Sequence, residues 1–165
     1  MKQRRKTISD SIRRKKRKAE GYLGFLLIFA LILAADQASK AAMRSNFFPG
    51  SSKTIIPGLL YLTYAQNTGV SFGLFAGYNL IFIVVLLAAF FFFAALFRKK
   101  ENYRPQITVI CAGISGNLID RLFFGFVTDF IDIKIWPIFN LADSSISIGI
   151  LWLIIAMAIN KDEIF

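Results

Sequence analysis

The chain has no histidine, a single cysteine (Cys111) and only four prolines. Without histidine there is no Ser-His or Cys-His nucleophile pair. With one Cys there is no intramolecular disulfide and no zinc site of the usual His/Cys kind. Charge is scarce as well. Only 18% of the 165 residues are charged and ten are acidic, against roughly 25% charged in soluble domains. What fills the space is apolar: 56% of the residues are hydrophobic, 18 of them Phe, and mean hydropathy is +0.56. Such a chain cannot stay disordered in water. The composition is that of an integral membrane protein, whose chemistry must come from carboxylates, amides, hydroxyls, Lys and Arg.

The formal charge of +10 is unevenly placed. Half of the Lys and Arg precede residue 19: Lys2, Arg4, Arg5, Lys6, Arg13, Arg14, Lys15, Lys16, Arg17 and Lys18. No aromatics interleave them, so a nucleic-acid partner is not expected. Residues 1–20 read as a basic cytoplasmic tail beside anionic membrane lipid. A cleaved signal peptide is not expected either, since the next apolar run carries Asp36 and Lys40 and lacks a small-x-small cleavage site.

Four apolar stretches suit a bilayer core, which takes about 20 helical residues: about 21–43, 78–97, 107–124 and 143–159. The basic tail, the Arg98–Arg104 loop and Lys161 place 15 Lys/Arg on one side, against five for Lys40, Arg44, Lys53, Arg121 and Lys134. The positive-inside rule then puts both termini in the cytoplasm, 161–165 included, with segments 44–77 and 125–142 outside. The fold class expected is an all-α, four-helix membrane domain over 21–160 with a small extracytoplasmic sheet. Thr54–Ile56, Leu59–Ala65 and Val70–Phe75 are the strand candidates, with Pro57-Gly58 as a turn.

The ionisable and amide residues gather at the outer ends of the spans. They are Asp36, Lys40, Asn67, Asn117, Asp120, Arg121, Asp129, Asp132, Asn140 and Asp143. Charged groups in or beside spans cost about 2.5–3.5 kcal/mol each on insertion scales and face bundle interiors or wet cavities. Read residue by residue, several have plainer roles. Asp36 and Lys40, at i, i+4, suit a helix-surface ion pair, and Asp120 a partner for Arg121. Asp143 suits an N-cap just ahead of span four, where a helix N-terminus favours its ionised form. Asn67 and Gly69 suit a turn, and Arg121 snorkelling or lipid phosphate. Asp132 suits a solvated position, because one D-x-x-D with Asp129 is weak support for metal. Cys111, Gly113 and Gly116 read as packing residues.

Five blocks in order give a further meaning to this pattern: Asp36-Gln-Ala-Ser-Lys40, Asn67-Thr-Gly-Val-Ser-Phe72, Gly116-Asn-Leu-Ile-Asp-Arg121, Val127-Thr-Asp-Phe130 and Phe139-Asn-Leu-Ala-Asp143. Together they resemble the lipoprotein signal peptidases (signal peptidase II), aspartic peptidases of the bacterial cytoplasmic membrane. The resemblance runs from about residue 23 to 159. Ser71 and Thr128 stand where the family often has Ala and Val, and the basic tail lies outside the match. It implies a multi-pass enzyme of the inner membrane with its site at the outer face, removing signal peptides from diacylglyceryl-modified prolipoproteins before the lipidated Cys. It also implies Asp129 and Asp143 as the catalytic pair, with Asp36, Lys40, Asn67, Gly69, Asn117, Arg121 and Asn140 binding substrate or supporting the site. No cofactor or metal is expected, and the chain is expected to act as a monomer. The alternatives are a metal-dependent lipid headgroup transferase, which would need more acids in a ligand arrangement, and a small proton-coupled transporter, which would spread its charges through the span depth.

Overall fold

The structure is a computed structural model that describes residues 2–69 and 79–160, with side chains from Glu20 onward. Four helices carry the mass: α1 (Lys2–Asn46), α2 (Asn79–Lys99), α3 (Arg104–Phe124) and α4 (Leu141–Asn160). Each holds a stretch long and apolar enough to cross a membrane. Helix boundaries lie within a few residues of those expected, because hydropathy itself sets where a segment leaves the bilayer. The basic tail does not end before the first span, however. α1 continues through it unbroken for 45 residues.

α3 is the hub. The most apolar stretch of α3 is 61% buried, against 6% for α1, 6% for α2 and 22% for α4. Its start is set by Pro105 in the first turn and its end by Gly125 at φ 79°, the left-handed C-cap that glycine adopts without strain. Glycines allow the close approach of its neighbours. A Cβ on Gly113 would lie 2.5 Å from the Ala142 carbonyl oxygen of α4, and one on Gly116 would collide with the Asp36 carboxylate of α1. At the end of α3 away from the acidic residues, Tyr103, Ile107, Ile110 and Ile114 pack with Leu96, Leu153 and Met157.

The segments between α1 and α2 and between α3 and α4 form an antiparallel sheet of β1 (Ser52–Ile56), β2 (Leu60–Asn67) and β3 (Val127–Asp132), in that order. The first two strands and the Pro57-Gly58 turn are as expected, with Gly58 at φ 76°. The third strand comes from the segment between α3 and α4. The other candidate, Val70–Phe75, lies outside the described residues. Pairing of β2 with β3 runs Leu62 to Ile131 and then Ala65 to Asp129, so β2 bulges by one residue beside Asp129. Met43, Tyr64 and Phe130 form a second apolar cluster that seats the sheet on the helices. Asp132, expected in solvent, is 4% exposed. It accepts from the Thr63 hydroxyl at 2.7 Å and pairs with Lys134 at 2.6 Å, which removes the penalty of burying it alone.

Candidate active site

β3 and the start of α4 are brought together by the backbone. Phe139 accepts from the amides of Phe130 and Ile131 and donates to Ile131, so residues 139 and 140 lie along the free edge of β3. Asn140 is therefore carried against Asp129. Its Nδ2 donates to Asp129 Oδ1 at 2.7 Å, and Asn67 Nδ2 donates to Asp129 Oδ2 at 2.9 Å. Both carboxylate oxygens are thus held by amides.

Asn140 also caps α4. Its Oδ1 accepts from the Asp143 amide at 2.9 Å, and Asp143 Oδ2 accepts from the Asn140 amide at 3.2 Å. This reciprocal pair is a capping box with Asn140 at the N-cap and Asp143 three residues on. The N-cap expected at Asp143 falls three residues earlier, at Asn140, and Asp143 takes the N3 place of the box. Because the cap is Asn140, Asp143 points an oxygen onward, where Oδ1 accepts from Asn117 Nδ2 at 2.7 Å. One asparagine, Asn140, thereby holds both acids.

Behind these amides lies a buried ionic cluster. Asp36, Lys40 and Asp120 are all fully buried. The i, i+4 pair of Asp36 and Lys40 forms at 2.8 Å, but it faces α3 and not the helix surface expected from its spacing. Lys40 Nζ also donates to Asn117 Oδ1 at 2.9 Å, and Asp36 Oδ1 accepts the Ala142 amide in the first turn of α4 at 2.9 Å. Asp120 is not the partner of Arg121. It lies 3.8 Å from Lys40 and 3.3 Å from Arg44 and accepts the Thr128 amide at 2.8 Å. Arg121 turns the other way, donating to the Gly69 carbonyl at 3.0 Å and to Asn79 Oδ1 at 3.2 Å over the ring of Phe82. Gly69 itself donates to Asn67 Oδ1 at 3.1 Å, the turn its sequence implied.

Arg44, Asn79 and Trp136 were not among the candidates. Arg44 continues the 36, 40, 44 spacing along one face of α1, a signal present in the sequence. It reaches Thr128 Oγ1 at 3.0 Å and stacks on Phe124. Trp136 stands exposed in the segment between β3 and α4, next to a span end, where interfacial tryptophans belong.

Asp129 and Asp143 line one cavity of about 280 Å³ together with Asn67, Gly69, Phe82 and Trp136. A smaller space of about 130 Å³ beside it is lined by Asn67, Asn117, Arg121 and Asp143. Asp129 is 3% exposed. Burial, and then the negative charge of Asp143, raise its pKa from 3.8 to about 7, against the opposing donors Asn67 and Asn140 and the charge of Lys40.

This frame has relatives. The profile of the signal peptidase (SPase) II family matches residues 28–159. The chain belongs to that family. The lipoprotein signal peptidase of Moorella thermoacetica is 42% identical over 131 residues, covering 77% of this chain and 87% of the relative. That of Syntrophomonas wolfei is 45% identical over 139 residues, covering 82% and 93%. A solved structure of a bacterial membrane enzyme superimposes with a TM-score of 0.79 at 32% identity, covering 84% of this chain and 90% of that one. Membership in signal peptidase II makes the chain a protease of a multi-pass membrane type and sets aside the transferase and transporter alternatives. The basic tail before residue 28 lies outside the matched region.

Proposed function

We propose that this protein is the aspartic endopeptidase that removes signal peptides from diacylglyceryl-modified prolipoproteins, cutting before the lipidated Cys, with Asp129 and Asp143 as its catalytic pair. The observation that carries the assignment is the joint hold of Asn140 on both acids at the wall of one cavity. Two close carboxylates in a poorly solvated site share a proton near neutral pH, and the titration belongs to the pair. The ionised carboxylate takes a proton from water as its oxygen attacks the scissile carbonyl carbon. The protonated one gives its proton to the carbonyl oxygen. When the tetrahedral intermediate collapses, the C–N bond breaks, the departing nitrogen takes a proton from one acid of the pair, and the other acid takes back a hydroxyl proton as the new carboxyl group forms. Asn67, Asn117 and Asn140 hold the acids in place. Asp36 and Lys40 support them from behind, while Arg121 and Gly69 fix the rim.

The same reading sets the remaining assignments. Residues 21–160 are the peptidase domain of an inner-membrane protein acting as a monomer. Residues 1–20 and 161–165 are cytoplasmic, because the excess of Lys and Arg lies at that end, and the acids open to the outer face. A substrate with an apolar helix and lipid chains reaches such a site sideways from the bilayer. The test is processing of a lipidated prolipoprotein, read as a gel shift, by purified protein in chelator. Wild type should cleave, and Asp129→Asn and Asp143→Asn should each lose cleavage by at least about a thousandfold, the scale of losing an essential acid or base. A folded Asp129→Asn protein with near-normal turnover would remove the assignment.

A further inference from the structure

A second recess lies at the other end of the molecule, and the peptidase reading makes no use of it. The backbones of α1 and α2 stay apart, bridged near the Arg98–Arg104 loop by Tyr22 and Phe25 packing on Phe97 with ring centroids 6.3 and 5.6 Å away. Between them opens a groove of about 320 Å³, walled by Phe25, Leu26, Phe29, Phe90 and Ala94, with Thr108 and Cys111 of α3 at its base. From Thr108 to Asp120 the helix rises roughly 18 Å, so the groove is well separated from the acids.

We infer that this groove binds one anionic phospholipid of the leaflet bordered by the 98–104 loop, an acyl chain lying between α1 and α2 and the phosphate meeting Arg98. Size favours a chain over a helix. The walls run from Tyr22 to Phe29 and from Phe90 to Arg98, at most roughly 12 Å of helix rise. That is little more than two helical turns, whereas a partner helix lying against the bundle across the bilayer core would need a groove of about 30 Å. Charge favours an anionic head. Arg98 lines the groove mouth, is exposed, and has no hydrogen-bond or ion-pair partner among the described residues. Arg104, by contrast, is engaged: it donates to the Phe97 carbonyl at 3.0 Å, pairs with Glu101 at 3.1 Å and stacks on Tyr22 and Phe97. It stiffens the wall and leaves the phosphate to Arg98, with Lys99 the next residue.

Native mass spectrometry of the full-length protein with phosphatidylglycerol or phosphatidylcholine of the same chains tests this. One retained phosphatidylglycerol should be favoured about fivefold, the worth of a single cation at a lipid surface. Arg98→Gln, an exposed change that disturbs no packing, should bring the two lipids to parity. Ala94→Trp, which fills the groove, should remove the retained lipid while prolipoprotein cleavage continues. The basic tail is intact in both variants, so adducts held by the tail would persist in them. Equal retention of both lipids by wild type, an unchanged preference in Arg98→Gln, or undiminished adducts in a cleaving Ala94→Trp protein would each overturn the inference. A lipid-free dimer that Ala94→Trp dissociates would overturn it in favour of a second copy of the chain.

Discussion

Asp129 is caught between opposing influences, and its ionisation reports their balance. Burial and the charge of Asp143 hold the proton on, whereas Asn67, Asn140 and Lys40 draw it off, leaving the group near 7. The folded chain thus keeps a proton that the unfolded chain, with its ordinary value near 3.8, has lost. The stability associated with this proton is complete below about pH 4 and is lost as the pH rises through about 7. On the proposed pairing the shared proton leaves over the same range, so cleavage should fall on the alkaline side. Asn67→Ala removes a donor that favours the carboxylate. The alkaline limb of its pH–rate profile should move up, with turnover lowered on the order of tenfold, the scale of one hydrogen bond to a charged group. A limb that moved down would contradict the role given to Asn67. The choice of residue types at the site was legible in the sequence through the ordered blocks. Their pairing was not. Asp36 and Lys40 show only that they share a helix face, and nothing local distinguishes a face turned to lipid headgroups from one turned to α3. Asp120 beside Arg121 suggested a pair, yet neighbours in a helix point about 100° apart, and the two side chains went to different partners.

At the scale of elements, the acids are positioned by contacts between segments far apart in the chain. The start of α4 is fixed by Asn140 within its own turn and by Asp36 from α1, whose Oδ1 takes the Ala142 amide. That bond requires α1 to lie directly on α3 at Gly116. Gly116→Ala pushes a methyl group into the Asp36 carboxylate, and the displaced acid must leave either Lys40 or the Ala142 amide. Overpacking of this kind costs about 1–3 kcal/mol. The thermal unfolding temperature of purified Gly116→Ala should drop by several degrees, and cleavage should drop with it because Asp143 begins at the same turn. An unchanged melting temperature would mean that α1 and α3 can separate at no cost. The four helices were readable because twenty apolar residues have one use in a membrane protein. β3 was not, since Val127–Asp132 carries two acids and its strand state depends on pairing with β2, sixty residues earlier. What decides the strand is the partner's edge, together with Phe139 on the other side, and neither is local information.

For the whole molecule, the division of labour lies along the helix axes, with the carboxylates Asp120, Asp129 and Asp143 gathered at one end of α3 and Arg98–Arg104 at the other. The basic tail belongs to the second end. It continues α1, and on the proposed topology its ten Lys and Arg lie on the far side of a bilayer core of about 30 Å from the acids. Screening over about 8 Å at physiological salt removes coupling through water as well. Deletion of residues 2–18 leaves Glu20–Asn46, 27 residues, a rise of roughly 40 Å and ample to span. On the proposed topology Arg98, Lys99, Lys100 and Arg104 still favour the same orientation in the truncated chain. The shortened protein should therefore show lower expression and a weaker orientation bias, measured by reporters fused after Lys161 and near Lys53. Molecules correctly inserted should cleave at the full rate per enzyme. A purified, correctly oriented truncation that had lost most of its turnover would make the tail part of substrate capture, and the separation of the two ends would fail with it.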